Sequence, residues 1–276
     1  MTDYGAIQVE REGRVGIIRW NRPDSLNAFN AQLGQEFYEA MEAFNADDGI
    51  GAVVTTGNGR GYSSGADLSA RVSGNWDETR GRRERSTVNP WRPEYLAVQC
   101  KPLVAAVNGI ALGIGITSIL WYDAIVASTQ ARFSMRFAAI GLTPEVTSAW
   151  ALPRLIGYQN AKEMMLTGRI YSAQEALEMG LARRLVEPDQ LMPEAIKLAA
   201  EIAANPIGTV QTVKRMTFHD FFAPDLRAAE AQSDREFAAA IQSLEHREAV
   251  RAFAEKRAPR FHEREYMQQL AAATQR

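Results

Sequence analysis

Residues 103–122 read LVAAVNGIALGIGITSILWY, twenty consecutive residues without a charged side chain. This is about the length of a helix that crosses a bilayer. Asn108, three glycines, Thr117 and Ser118 interrupt the run, however, which argues against a membrane span. We expect instead a buried strand, then a glycine-rich turn, and then a buried helix.

Strand and helix patterns alternate on both sides of this run. Short β-branched and apolar stretches predict strands at 15–20, 52–56 and 124–127. Between the first two, apolar residues recur every three or four positions over 30–44, which predicts a helix. Strands separated by helices are typical of βαβ units, so the sequence predicts an α/β fold with a largely parallel sheet.

The last part of the chain has a different pattern. Strand signals end near residue 190, and the remaining sequence is rich in Ala, Glu, Gln and Arg. We therefore divide the chain into a core of residues 1–195 and a C-terminal helical region of residues 196–276. The predicted helices of the tail are 191–204, 207–222, 226–244 and 248–257.

Composition excludes several classes of protein. Lys and Arg number 31 against 33 Asp and Glu, a net charge of −2, whereas a protein that wraps nucleic acid needs a basic surplus. A single cysteine, Cys100, permits no internal disulfide and no CxxC site. The three histidines all lie in the last quarter, so we predict no metal site. The first residues, MTDYGAIQVEREGR, do not resemble a signal peptide, so we expect a cytoplasmic protein without a membrane partner.

Residues 71–94 are polar and carry four clustered arginines, at 80, 82, 83 and 85. We interpret this stretch as a solvated surface loop. The alternative interpretation is that residues 71–94 form a flap close to an anionic ligand.

The first glycine cluster, GNGRGYSSG at 57–65, follows a predicted strand. It lacks the Gly-Lys-Ser/Thr of a phosphate-binding loop. It does contain the G-x-S-x-G string of serine hydrolases around Ser63, but four residues separate this string from the strand. His219 could complete a triad only from within a predicted helix, so a serine hydrolase remains an outside alternative.

The second glycine cluster, GIALGIG at 109–115, precedes the predicted buried helix. Ser118 stands where a dinucleotide-binding fingerprint needs its third glycine. The first N–H groups of a helix have no partner within it, so they could donate to a developing oxyanion. Close packing of helix on sheet would explain the same glycines.

Several segments, taken in order along the chain, carry a resemblance. They are 21–28 (NRPDSLNA), 62–68 (YSSGADL), 101–102, 107–109, 111–113, 153–157 (PRLIG) and 252–257 (AFAEKR). Together they resemble the crotonase superfamily, also called the enoyl-CoA hydratase/isomerase family, over about residues 7–262.

This resemblance implies a fold of repeated ββα turns wound into a superhelix, with a C-terminal helical region that trimerises. It implies an acyl-CoA thioester as substrate, with CoA as its carrier and no separate cofactor. It also implies a homotrimer or a dimer of trimers.

The resemblance also assigns site residues. Two backbone N–H groups, those of Ser64 and Ile114, would hold the thioester oxygen. The CoA-binding positions would be Asp24, Ser25, Leu26 and Ala28, with Phe253 and Lys256 reaching CoA from a neighbouring subunit. The acyl pocket would include Thr117, Phe137 and Trp150.

Which of the family's reactions we expect depends on which acidic residues the chain carries. The two glutamates of the family's hydratases would fall at Thr117 and Phe137, and neither residue is a general acid or base. Glu145 matches the catalytic acid of isomerases in the family, although it could equally be an acid at the start of a helix. We therefore expect an enoyl-CoA isomerase that uses Glu145. A hydratase, another enolate-forming acyl-CoA lyase and a non-catalytic acyl-CoA-binding paralogue remain alternatives.

Overall fold

The computed structural model of the chain describes residues 4–69, 89–223 and 225–274. The chain forms two compact units, Met1–Ala200 and Glu201–Arg276. We describe each unit by itself.

The described part of the chain contains ten strands in two sheets. They are β1 (Ile7–Glu12), β2 (Val15–Trp20), β3 (Ala52–Gly57), β4 (Gly61–Ser63), β5 (Leu103–Val107), β6 (Ile110–Leu112), β7 (Ala124–Ser128), β8 (Arg132–Ser134), β9 (Tyr171–Ser172) and β10 (Arg184–Val186). The larger sheet has the order β1-β2-β3-β5-β7-β10, and the smaller one has the order β4-β6-β8-β9. In the larger sheet β1 pairs with β2 antiparallel and every other pairing is parallel, as the sequence predicted.

Ten α-helices accompany the strands in the described residues. They are α1 (Ala31–Ala46), α2 (Ile114–Thr117), α3 (Ser148–Ile156), α4 (Tyr158–Thr167), α5 (Ala173–Glu178), α6 (Leu191–Ala203), α7 (Ile207–Phe221), α8 (Leu226–Ile241), α9 (Leu244–Ala254) and α10 (Arg264–Thr274). The α/β class is confirmed, and so is the helical character of the C-terminal region.

Local chemistry explains where these elements begin. The side chain of Asn30 accepts a hydrogen bond from the N–H of Leu33 at 2.9 Å, which starts α1, and α1 buries the apolar face that the sequence predicted. All five residues of β5, a central strand, are buried, so both faces of the sheet are covered there, as is typical of parallel sheets.

The uncharged run 103–122 folds differently from our expectation in one respect. After β5 the chain adds the short strand β6, and the helix that follows is only α2 with a 3-10 turn, Ile119–Trp121. Three-residue strands are too short for a periodic pattern, which is why β6 was not predicted. Among the described residues, no helix combines the length and the apolar character needed to cross a membrane.

Strands β4 and β6 pair in parallel and bring the two glycine clusters side by side. A Cβ atom on Gly109 would lie 2.0 Å from the carbonyl oxygen of Arg60. Only glycine permits this approach of the two backbones, so this glycine serves packing.

In the second unit, Glu248 organises the end of the chain. Its side chain is fully buried and accepts two hydrogen bonds from the Arg257 guanidinium, at 2.5 and 3.1 Å. It also accepts from the Tyr266 hydroxyl and from the N–H of Arg260. These contacts join α9 to α10.

The tail helices differ from prediction at two places: α10 was not predicted, and the boundary between the helices predicted at 226–244 and 248–257 lies earlier. The stretch 226–244 is divided, because Ser243 accepts a hydrogen bond from the N–H of His246 at 3.1 Å and begins α9 at Leu244.

Candidate active site

The loop 22–28 is held in an unusual conformation. After the 3-10 turn Pro23–Ser25, Leu26 and Asn27 both adopt left-handed backbone angles, with φ of 51° and 56°. Asn27 is fully buried and stabilises this turn: its side chain accepts from the N–H of Arg22 at 2.9 Å and donates to the carbonyl of Gly61 at 2.8 Å. The loop is therefore fixed against the first glycine cluster.

The four predicted CoA-binding residues of this loop differ in exposure. Asp24 is exposed, Ser25 and Leu26 are half-buried, and Ala28 is buried. The carbonyl of Ala28 accepts a hydrogen bond from the guanidinium of Arg22. Only Asp24, Ser25 and Leu26 thus face solvent, where a ligand could reach them.

The N–H group of Ser64 is already in use. It donates to the carbonyl of Leu26 at 2.9 Å, and the Ser64 hydroxyl donates to the carbonyl of Ser25 at 3.0 Å. Ser64 therefore joins the first glycine cluster to the loop 22–28 through two hydrogen bonds. This geometry does not support our prediction that its N–H holds a thioester oxygen, because one N–H cannot serve both acceptors well.

Ala66, two residues further on, has a different environment. The residues on either side of it are hydrogen-bonded to Phe29. The carbonyl of Gly65 accepts from the N–H of Phe29, and the N–H of Asp67 donates to the carbonyl of Phe29. The N–H of Ala66 itself has no acceptor within the described residues. Ala66 is also exposed. It is thus the better placed donor of this loop.

The second predicted donor, Ile114, is the first residue of α2 and is half-buried. Its N–H likewise has no acceptor among the residues that the structure covers. The two loops meet beside these donors: a Cβ on Gly65 would lie 2.9 Å from the Leu112 carbonyl oxygen, and one on Gly113 would lie 3.9 Å from the Gly65 Cα. Their backbones are therefore adjacent.

The three predicted acyl-pocket residues differ in what they contact. The Cζ atom of Phe137 would lie 4.0 Å from a Cβ on Gly113, so its ring is next to the second loop. Thr117 is fully buried, and its hydroxyl has no hydrogen-bond partner in the described structure. Trp150 is half-buried and stacks on Trp121 with ring centroids 5.9 Å apart.

Glu145 is half-buried in the loop that precedes α3. It is neither the N-cap of α3, which is Thr147, nor a residue of its first turn. Two hydrogen bonds place the loop: the N–H of Leu142 donates to the Phe137 carbonyl at 2.8 Å, and the indole N–H of Trp121 donates to the Val146 carbonyl at 3.2 Å. Phe137 lies next to Gly113 of the second glycine cluster, and Trp121 ends the segment that follows this cluster.

Asp67, next to Ala66, has a structural role. Hydrogen bonds from Ser69 and from Arg22, the latter at 2.8 Å, lower the pKa of its carboxyl group to about 2. Because Arg22 also holds the Ala28 carbonyl, this ion pair joins the loop 22–28 to the residue after Ala66.

The remaining predicted positions lie elsewhere. Phe253 and Lys256 belong to the second unit, where both are exposed, Phe253 by 87%. The arginines at 80, 82, 83 and 85 lie outside the described residues.

The serine hydrolase alternative is opposed by the geometry of Ser63. Its side chain is fully buried in β4, and its hydroxyl oxygen accepts from the N–H of Gly65 at 3.2 Å. A nucleophile needs an exposed hydroxyl beside a base. Among the described residues, no group of three or more His, Cys, Asp or Glu is arranged to hold a metal ion.

Two features of the site escaped the sequence-based prediction. Ala66 would act through its backbone N–H, so its side chain gives no chemical signal. Its place between Gly65, with φ of 99°, and Asp67 was the available clue. The bond from Trp121 to Val146 joins residues 25 positions apart and needs the fold to be seen.

The chain is similar to known proteins along most of its length. The family model described as enoyl-CoA hydratase/isomerase matches residues 10–264. The 1,2-epoxyphenylacetyl-CoA isomerase of Escherichia coli K12 is 33% identical over 258 residues, which cover 91% of this chain and 95% of that protein. A Rhizobium meliloti protein named "Probable enoyl-CoA hydratase" is 34% identical over 95% of this chain and 99% of its own length.

Solved structures show the same fold. The crystal structure of an enoyl-CoA hydratase from Bacillus anthracis superposes with a TM-score of 0.86 at 30% identity, and the match covers 94% of this chain and 99% of that one. The fold, the two adjoining backbone loops and these similarities together show that the chain belongs to the enoyl-CoA hydratase/isomerase family of enzymes, the crotonase superfamily.

Proposed function

We propose that this enzyme shifts the double bond of an enoyl-CoA thioester and that Glu145 carries the proton. The observation that carries the proposal is the pair of residues at the hydratase positions, Thr117 and Phe137, which cannot act as general acid or base. Glu145 is the carboxylate of the loop that is anchored to Phe137 and to Trp121.

In the proposed reaction, the thioester oxygen accepts hydrogen bonds from the N–H groups of Ala66 and Ile114. The Glu145 carboxylate removes a proton from C2 of a 3-enoyl-CoA, and the electron pair of that C–H bond moves into a dienolate. Negative charge develops on the thioester oxygen, where each preorganised donor contributes about 3 kcal/mol to the transition state.

The reaction is completed by the same carboxyl group. Glu145, now protonated, returns the proton at C4 while the C2–C3 double bond forms. No atom is gained or lost, so one acid/base group is enough, provided that it reaches both carbons.

Coenzyme A would be the carrier of the substrate rather than a separate cofactor. We propose that exposed Asp24 and half-buried Ser25 and Leu26 contact it, as expected for this loop. The exposure of Phe253 and Lys256 supports the proposal that they reach CoA from a neighbouring copy, in a homotrimer or a dimer of trimers.

Product analysis tests this function. The purified enzyme is mixed separately with 3-hexenoyl-CoA and 2-hexenoyl-CoA, and conjugation and hydration are followed. We expect conjugation of the first thioester and little hydration of the second. Hydration as the faster reaction would favour the hydratase that several relatives are named for, and binding without turnover would indicate a non-catalytic paralogue.

A further inference from the structure

The two residues that follow Glu145 adopt a backbone conformation that their side chains disfavour. Val146 and Thr147 both have φ of 53°, in the left-handed region. β-branched residues rarely adopt it, and two in succession persist only where surrounding contacts hold them. Something in the structure must therefore impose this turn.

Hydrogen bonds fix the peptide groups on both sides of Val146. The carbonyl of Glu145 accepts from the N–H and the hydroxyl of Ser148, at 2.9 and 2.6 Å. The carbonyl of Val146 accepts from the hydroxyl of Thr147 at 2.7 Å and from the indole N–H of Trp121 at 3.2 Å. Of these donors, Trp121 is the one that comes from a distant part of the chain.

Trp121 is itself held rigidly. It is only 8% exposed, and its ring stacks on that of Trp150 with an interplanar angle of 13°. The guanidinium carbon of Arg154 lies 3.8 Å from the centroid of the Trp150 ring, on the same helix α3. The indole therefore has little freedom to move away from Val146.

Trp121 also ends the segment that begins at the oxyanion loop. Helical hydrogen bonds run along it, from the N–H of Thr117 to the Gly113 carbonyl, from Ser118 to Ile114, and from Tyr122 to Ile119. Ile114 stands at the start of this buried segment and Trp121 at its end, so one rigid piece positions both the oxyanion donor and the turn after Glu145.

We propose that Trp121 is a positioning residue: its indole N–H holds the Val146 carbonyl and thereby keeps the turn that aims the Glu145 carboxylate. This inference rests on the proposed function, because it needs Glu145 to act on the substrate. Trp121 would not touch the reacting atoms. Its loss should therefore slow the chemical step and leave thioester binding intact.

The first test is Trp121→Phe, which keeps an aromatic ring and removes the donor. With 3-hexenoyl-CoA as the probe, we expect kcat to fall about tenfold while KM stays within twofold. Tyr171→Phe is the matched control, because it also removes one aromatic donor, the hydroxyl that donates to Glu163 at 3.1 Å and not to the Glu145 loop. A kcat for Trp121→Phe within twofold of the control, or equal changes in kcat and KM, would overturn the proposal.

Val146→Gly alters the turn itself rather than the donor that holds it. It therefore tests the proposal even if Trp121→Phe does not fold. Glycine adopts positive φ without strain, so the turn loses its rigidity without loss of the fold. We expect a similar fall in kcat with an unchanged or higher melting temperature. When Val146→Gly is combined with Trp121→Phe, we expect no further fall in kcat. An unchanged kcat, or fully additive effects, contradicts the proposal.

A third variant separates this inference from the function on which it rests. If Glu145→Gln retains the activity of the wild type, the proposed function fails and the inference fails with it. If Glu145→Gln is inactive and both Trp121→Phe and Val146→Gly keep full activity, only the inference fails.

Discussion

Gly65 and Gly113, one from each glycine cluster, approach so closely that a Cβ on Gly113 would lie 3.9 Å from the Cα of Gly65. Both have positive φ, 99° and 51°. Each is followed along the chain by a residue whose N–H has no acceptor in the described structure, Ala66 and Ile114. The approach of the two glycines is therefore what brings the two donors to one place.

Gly65→Ala should separate these donors. The new Cβ would lie 2.9 Å from the Leu112 carbonyl oxygen, so one loop must shift. Because a displacement of about 1 Å can cost a factor of about 100 in rate, we expect kcat for 3-hexenoyl-CoA to fall about a hundredfold. Gly13→Ala is the control: Gly13 also has a positive φ, of 55°, but no atom would lie within 4 Å of its new Cβ. Equal activity of the two variants would show that the approach is unimportant.

Backbone ester substitution distinguishes Ala66 from Ser64. Replacing Ala66 by lactic acid removes its N–H and keeps its side chain, and we expect kcat to fall about 100-fold or more, as for other lost oxyanion donors. The corresponding ester at Ser64 removes the hydrogen bond to Leu26. It should lower stability more than kcat. The reverse pattern in steady-state kinetics and thermal melting would restore our original assignment to Ser64.

The ion pair of Arg22 and Asp67 should make stability depend on pH in the acid range. Hydrogen bonds from Ser69 and Arg22 lower the pKa of Asp67 from 3.8 to about 2 in the folded chain. The ionised Asp67 therefore contributes about 2 kcal/mol to the free energy of unfolding above pH 4, and this contribution is lost as the pH falls towards 2. Urea unfolding of the wild type and Asp67→Asn should differ by this amount at pH 6 and converge near pH 2. A difference that does not vary with pH would exclude this explanation.

Glu248→Gln should loosen the end of the second unit. The variant removes the buried negative charge of residue 248 that pairs with Arg257, and breaking such a buried ion pair costs about 3 kcal/mol of stability. We expect faster amide hydrogen exchange in α9 and α10. Glu255→Gln serves as the control, because Glu255 is an exposed partner of Arg257 and should matter much less. Equal exchange in the two variants would contradict the role given to Glu248.

The sequence predicted the elements that depend on long patterns. The strands at Val15–Trp20 and Leu103–Val107 and the helix Ala31–Ala46 lie where apolar periodicity placed them, within two residues. The smaller sheet was not predicted, because its strands have two or three residues and carry no period. That sheet is what aligns the two glycine clusters.

A catalytic side chain is easier to propose from a sequence than a backbone donor is. Glu145 could be proposed because a carboxylate stands out near Thr117 and Phe137, which are not acidic. Ser64 was predicted from motif position, which does not reveal which N–H already has an acceptor. The hydrogen bond from Ser64 to Leu26 depends on the buried turn at Asn27.

We propose that Glu145 carries the proton between C2 and C4, and a comparison with Glu145→Gln tests this role. Conjugation of 3-hexenoyl-CoA is followed with the wild type and with Glu145→Gln, while binding of the thioester is measured by titration. We predict a kcat at least a hundredfold lower in the variant, with unchanged affinity, because an amide cannot exchange the proton. Conjugation by Glu145→Gln at the rate of the wild type would contradict the claim.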